Sequence, residues 1–261
     1  MNMNTINQIS TTPVTTAVIP AAGTGNRLRP ATSNKPKCLI EINGRPLLQY
    51  TIDALESHGY TRLILVTGYR AEMIEEFIGN YTGPLTIETI HNGLFDSTNN
   101  IYSIHLAIER LDSAFTLIES DLIFEPDALE PLKQPDTAAL DRYDPSMHQG
   151  TTVTVSARGL VKTLNIGASS GIYTGNLYKT VNIWSFSRET TALLLNEIRS
   201  MTERNQTNCF YEVAIKNLIN TRQLKINRVD FSAFWWDEID TRQDLDRVIS
   251  TLAAQPLSLV V

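Results

Sequence analysis

Apolar residues are spaced along this chain in two alternating rhythms. Ala17-Val18-Ile19, Leu63-Ile64-Leu65-Val66 and Phe115 to Ile118 are continuous runs of strand length, the pattern of strands buried on both faces. Between them, Leu47, Leu48, Ile52 and Leu55 recur at the helical period, as do Ile101, Ile104, Ile108 and Leu111. Each set marks one face of an amphipathic helix. The spacing predicts helices over residues 46–59, 71–78 and 100–111, and a strand over 85–90. Gly59 stands where a left-handed residue ends a helix. Strand and helix thus alternate from residue 16 to about 125, which predicts a mostly parallel sheet covered on both faces. Such sheets take ligands at the carboxyl ends of their strands, so the loops after Pro20, Val66 and Ile118 should share one edge.

The rhythm changes after Asp127. Residues 151–157 and 179–186 alternate apolar with polar, as antiparallel strands do. Helices are expected over 193–201, 209–219 and 244–252, and strands over 224–229 and 234–239. The first fifteen residues are Asn/Thr-rich and aperiodic, so a flexible arm is expected there. The remainder, 16–255, reads as a single domain: a core of 16–127, a smaller β-rich insert over about 138–187, and the rest of the core over 188–255.

Composition narrows the class. Of 261 residues, 42% are hydrophobic and 19% charged, which excludes wholesale disorder. Lys+Arg 22 against Asp+Glu 28 gives −6, a balance that argues against nucleic acid as a partner but allows a local basic pocket. Cys38 and Cys209 cannot build a disulfide framework or a zinc site. The four histidines, His58, His91, His105 and His148, lack metal-ligand spacing. No run is as long and apolar as a membrane span, and no Lys or Arg precedes Ala17, so the basic start of a signal peptide is missing. A cytoplasmic protein without a membrane partner is the expectation.

The densest chemistry follows the first strand. Pro20-Ala21-Ala22-Gly23-Thr24-Gly25-Asn26-Arg27-Leu28-Arg29-Pro30 leads into Lys35-Pro36-Lys37-Cys38-Leu39. A glycine-containing turn lets backbone N–H groups approach phosphate oxygens; Arg27 offers a planar fork and Lys37 a mobile point charge. Leu28 breaks the dinucleotide fingerprint, and the Gly-Lys-Ser/Thr end of a Walker loop is absent. Two acidic strand ends follow, Glu119-Ser120-Asp121 and Glu238-Ile239-Asp240. Hard oxygen ligands of this kind suit Mg²⁺, although Asp121 or Asp240 could equally cap a helix.

The loop and its Lys-Pro-Lys-x-Leu sequel resemble the signature of nucleoside-triphosphate transferases that activate sugar phosphates and alcohol phosphates. Ser97-Thr98-Asn99-Asn100-Ile101-Tyr102-Ser103 is similar to a stretch of the bacterial phosphocholine cytidylyltransferases. Tyr178-Lys179-Thr180-Val181-Asn182-Ile183-Trp184 and Asp141-Arg142-Tyr143 resemble runs of the 2-aminoethylphosphonate cytidylyltransferases, with Trp184 replacing the usual Tyr; Trp236-Asp237-Glu238-Ile239-Asp240 matches both. The resemblance implies a Rossmann-like, mostly parallel mixed sheet of the nucleotidyltransferase (GT-A-like) kind with an acceptor-binding insert. It implies that Ala21, Ala22, Gly23, Thr24, Gly25, Arg27, Lys37, Asn99 and Ser120 bind nucleotide, and that Asp121 and Asp240, assisted by Glu238, hold Mg²⁺. Lys179 would grip the acceptor, with Tyr143 and Trp236 beside it. Arg27, Lys37 and Lys179 are the expected catalytic residues.

The reaction so implied moves CMP from CTP to a small phosphonate or phosphate monoester. For the acceptor's head group, Asp141 would read the ammonium of 2-aminoethylphosphonate; an aromatic cage drawn from Tyr143, Tyr173, Trp184 or Trp236 would suit phosphocholine. Another phosphonate, a sugar-1-phosphate nucleotidyltransferase and a non-catalytic nucleotide-binding module are the alternatives.

Overall fold

Strand and helix alternate through the first half of the chain, as the apolar rhythm predicts. The computed structural model describes residues 12–146, 148–167 and 177–255. In order, these are β1 (Thr16–Pro20), β2 (Glu41–Ile42), β3 (Arg45–Pro46), α1 (Leu47–Ser57), β4 (Arg62–Thr67), α2 (Ala71–Gly79), β5 (Thr86–His91), α3 (Asn100–Ile108), β6 (Phe115–Ile118) and β7 (Leu122–Phe124). Then come β8 (Thr137–Arg142), β9 (Thr152–Val155), β10 (Val161–Asn165), β11 (Leu177–Phe186), α4 (Arg188–Glu203), α5 (Glu212–Asn220), β12 (Asn227–Asp230), β13 (Trp236–Glu238) and α6 (Arg242–Ala254). No helix among them is long and apolar enough to cross a membrane.

One nine-stranded sheet organises the molecule, with the path β10-β9-β11-β6-β1-β4-β5. β6, β1, β4 and β5 run parallel. β11 pairs antiparallel with β6, β8 and β9, so the β-rich middle segment extends the core sheet. Successive strand residues take opposite faces. Val18, Ile64, Val66 and Leu117 pack beneath α3, α4 and α5, whereas Ala17, Ile19, Leu63 and Leu65 pack against α1. That two-sided burial explains why these strands read as unbroken apolar runs. A third cluster joins Leu28, Ile123, Ile239 and Leu245, tying the glycine loop and the second acidic strand end to α6.

Helix ends follow local chemistry. Gly59 has φ +70°; its N–H and that of Tyr60 donate to the carbonyls of Glu56 and Leu55, closing α1 as a Schellman motif. α4 begins earlier than the apolar period suggests because the Ser187 hydroxyl caps it, accepting from Thr190 N–H. The helix expected from residue 209 begins at Glu212. Val14 lies within the stretch expected as a loose arm, yet it is buried and its N–H donates to the Lys133 carbonyl; residues 1–11 of that arm lie outside the described residues.

Candidate active site

The glycine loop is built against the neighbouring strand. Ala21 N–H donates to the Val66 carbonyl at the end of β4 (2.8 Å), and Tyr69 N–H to the Ala22 carbonyl (3.0 Å). Gly68 allows this approach: a Cβ there would lie 2.7 Å from the Phe95 Cβ and 2.8 Å from the Ala22 Cβ, closer than packed atoms tolerate. Gly25 has φ +60°, and its carbonyl accepts from the Thr32 hydroxyl at 2.8 Å. The following turn buries Leu28 and leaves Arg27 exposed. A cleft of about 320 Å³ opens over the loop, lined by Ala21, Ala22, Gly23, Gly25, Arg27, Lys37, Asn99, Ser120, Asp121 and Asp240. Ten of the expected residues therefore share one cavity.

A short antiparallel ribbon brings the acidic strand ends together. β13 pairs with β7, Glu238 opposite Leu122, and Ile239 N–H donates to the Asp121 carbonyl at 3.0 Å. Ile239 is buried while Glu238 and Asp240 flank it on the open side. Neither aspartate caps a helix: Thr241 caps α6, in a reciprocal box with Asp244. The Lys37 ammonium sits between the two, 2.7 Å from Asp121 Oδ2 and 2.7 Å from Asp240 Oδ1. Burial alone would lower its pKa, but the two carboxylates hold it above the ordinary lysine range. Arg27 Nη2 also reaches Asp240 Oδ1, at 2.7 Å.

Lys179 enters from the other side. Asn182 (φ +61°) disturbs the ladder between Thr180 and Trp184, with the Thr180 hydroxyl donating to Asn182 Oδ1 at 2.8 Å. Just before this bulge β11 carries a nearly inaccessible Lys179 (2% exposed). Its ammonium donates to the Thr180 carbonyl (2.7 Å) and lies 3.4 Å from Glu238 Oε2. It also lies 6.0 Å from the centre of the Trp236 ring. His148 stacks on that ring at 5.7 Å, and Tyr143 lies 6.4 Å from His148.

Asp141 is already engaged: Oδ2 accepts from Trp236 Nε1 (2.8 Å) and Oδ1 from Arg142 N–H (2.7 Å). Trp184 is fully buried among apolar side chains, which removes it as a wall of an open aromatic cage, and Tyr173 lies outside the described residues. Asn99 lines the cleft, but its side-chain oxygen caps α3 by accepting from Asn100 N–H.

Further lining residues to which the sequence reading gave no role include Asn92, Phe95, Asn100 and Glu119. Asn100 and Glu119 lie inside runs the sequence analysis singled out, whereas Asn92 and Phe95 carry no such signal. Carboxylate oxygens of Glu119, Asp121 and Glu238 lie within 4.8 Å of one another, while Asp240 joins them through Lys37. Asp121 Oδ1 is buried without a hydrogen-bond partner, and the donors are all hard oxygens. That set fits a divalent cation such as Mg²⁺.

Burial and the neighbouring carboxylates Asp121, Glu212 and Glu238 push Glu119 well above the usual carboxylate range. Glu238 is pushed up by burial, against the pull of Lys179, to about 7 from 4.5. The folded state therefore keeps a proton that the unfolded chain releases between those values. Stability contributed by that proton is complete below pH 4.5 and lost as pH rises through 7. Glu238→Gln is expected to gain about 2 kcal/mol on the cation-free parent across this window. Thermal denaturation as a function of pH checks it; parallel curves for the two proteins would contradict the origin of the slope.

Comparison with known proteins identifies the family. Residues 17–153 match the MobA-like NTP transferase domain, and the chain belongs to that family. It is 30% identical over 236 residues to the CMP-5'-(3-aminopropyl)phosphonate synthase of Streptomyces rubellomurinus, a match covering 87% of this chain and 37% of that protein. It is 37% identical over 110 residues to the 2-aminoethylphosphonate cytidylyltransferase of Lancefieldella rimae, covering 42% and 44% respectively. Each match thus spans less than half of the relative's length. The solved CTP:phosphocholine cytidylyltransferase of Streptococcus pneumoniae superposes with a TM-score of 0.78 at 22% identity, over 92% of this chain and all of that one. The fold is accordingly the Rossmann-like nucleotidyltransferase fold, with a mostly parallel central sheet.

Proposed function

We propose that the chain is a Mg²⁺-dependent cytidylyltransferase that moves CMP from CTP to a small phosphonate or phosphate monoester, best 2-aminoethylphosphonate, releasing pyrophosphate. The observation that carries this reading is a single cleft where the glycine loop meets Lys37, Asp121 and Asp240; outside its lining, the buried Lys179 of β11 pairs with Glu238, two residues before Asp240. The identity to phosphonate-activating relatives supports the acceptor class.

Each group has a task that its position suits. Backbone N–H groups of residues 21–25 cradle the triphosphate, with Asn99 and Ser120 beside the nucleoside. Arg27, exposed at the rim, neutralises the departing pyrophosphate, and Lys37 leaves its aspartates for the phosphates. Asp121, with Glu238, Asp240 and Glu119 around it, would hold Mg²⁺. When bound, the ion supplies positive charge against the phosphate oxygens. Lys179 fixes the acceptor's phosphorus oxygens; Tyr143 and Trp236, the latter oriented by Asp141, border it. Phosphate monoesters have a second pKa of about 6, so the attacking oxygen is already ionised near neutrality and needs no general base. Catalysis is alignment and charge stabilisation.

The test is pyrophosphate release with Mg²⁺, crossing CTP, UTP, ATP, GTP and dTTP with 2-aminoethylphosphonate, phosphocholine, 2-hydroxyethylphosphonate and glucose-1-phosphate. CTP with 2-aminoethylphosphonate is expected to give the highest kcat/KM. Preference for UTP or dTTP with the sugar phosphate, or no turnover in any pair, would overturn the reading.

A further inference from the structure

The wall of the cleft is not uniform in charge. Arg27, Lys37, Asp121 and Asp240 supply charged groups where the triphosphate would lie. The lining residues drawn from positions 92–103 are all uncharged: Asn92, Phe95, Thr98, Asn99, Asn100 and Ser103. Phe95 and Ala22 both press on Gly68, so this uncharged stretch borders the glycine loop. A few polar groups around an aromatic ring suit a base better than a phosphate. Here the side-chain oxygens are spent and the N–H groups are not. Asn99 Oδ1 accepts from Asn100 N–H at 2.8 Å, and Asn100 Oδ1 from Tyr211 N–H at 3.0 Å. A backbone N–H can face only the oxygen of an amide, so these bonds fix which way each amide is turned. Neither amide nitrogen has an acceptor among the described residues, and neither is sealed from solvent. Asn92 is engaged at both ends: Oδ1 accepts from Leu94 N–H (2.9 Å), and Nδ2 donates to Ser103 Oγ (3.0 Å). Ser103 thus keeps its own proton to give.

A wall whose free side-chain groups are donors selects a base that offers acceptors. Cytosine carries two adjacent acceptors, O2 and N3, on its pairing edge. Uracil and thymine place an N3–H between theirs, which would set donor against donor and leave an amide unpaired. We propose that the Asn99 and Asn100 amides, held by their backbone partners, donate to O2 and N3 of the base and so select CTP over UTP and dTTP. The Ser103 hydroxyl lies on the same wall as a further donor. This rests on the cytidylyltransferase reading and adds which side chains choose the base, and by which edge.

Asn99→Asp and Asn100→Asp turn each donor into an acceptor. Each keeps the oxygen that its backbone N–H partner needs, and aspartate is favoured at the start of a helix. In the full-length protein with Mg²⁺ and 2-aminoethylphosphonate, the ratio of kcat/KM for CTP over UTP is expected to fall by about 10- to 100-fold in each variant. An unchanged ratio in either would overturn the proposal, because a structural role, or an amide facing the ribose or phosphates, moves both nucleotides together. A second measurement needs no variant. The triphosphate of pyrimidin-2-one riboside keeps O2 and N3 but lacks the 4-amino group; 3-deazacytidine triphosphate lacks N3. The parent should use the first within about tenfold of CTP and the second at least about tenfold less well than CTP. Greater loss with the first, or full use of the second, would also overturn it. A parent that prefers UTP, or turns over no nucleotide, brings down the wider reading and this inference with it. An active CTP enzyme with unmoved ratios brings down this inference alone.

Discussion

Asp121→Asn is expected to lower pyrophosphate release from CTP by about a thousandfold or more while leaving the chain folded. Asp121 stands at the meeting point of the site. Its Oδ2 holds the Lys37 ammonium, its Oδ1 is buried without a partner, and its carbonyl anchors Ile239. Asparagine preserves the backbone bond and the side-chain shape. It removes the charge that would draw a divalent cation against the phosphates. Lys37 keeps Asp240 as a partner, so the cost to stability should stay near about 1 kcal/mol. Steady-state turnover and thermal denaturation measured side by side check both halves. Near-normal turnover would remove Asp121 from the catalytic scheme.

Lys179→Met should be as damaging to activity and much more damaging to stability. The ammonium is nearly inaccessible and is the cation nearest to Glu238, with Glu119 and Glu212 close behind. Removing it leaves the Glu238 carboxylate without a counter-charge, and breaking a buried pair in this way costs about 3 kcal/mol. Turnover should fall about a thousandfold, because in the proposed scheme the acceptor's oxygens lose their counter-charge. A second substitution separates the two effects. Adding Glu238→Gln to Lys179→Met should recover part of the melting temperature, since one stranded charge is gone, without recovering turnover. If the double variant were as unstable as the single, the electrostatic account of Lys179 would be wrong.

Much of this site is legible in the sequence, for identifiable reasons. The strand-helix alternation was plain because β1, β4 and β6 are buried on both faces and helices α1 and α3 carry clean apolar stripes. The loop residues and Lys37 are close in sequence, so their shared role showed at once. β8 did not show: Thr137-Ala138-Ala139-Leu140 has small residues that lack a strand's usual signature, and only its position between β11 and β12 makes it a strand. The engagement of Asp141 by Trp236 could not be read either, since 95 residues separate them. Glu212 was invisible for a related reason. One glutamate at the start of a helix looks like any first-turn acid until the fold buries it beside Lys179.

The β7–β13 ribbon also has a consequence for the chain's history. It joins Asp121 to Ile239, 118 residues further along the sequence, so the site is assembled by long-range contacts. Closing so long a loop carries an entropic cost that local segments do not meet. A nascent chain that has made the glycine loop and most of the central sheet still lacks Glu238 and Asp240. Competence for chemistry therefore waits for β13 and for the helix α6 that packs Ile239 in place.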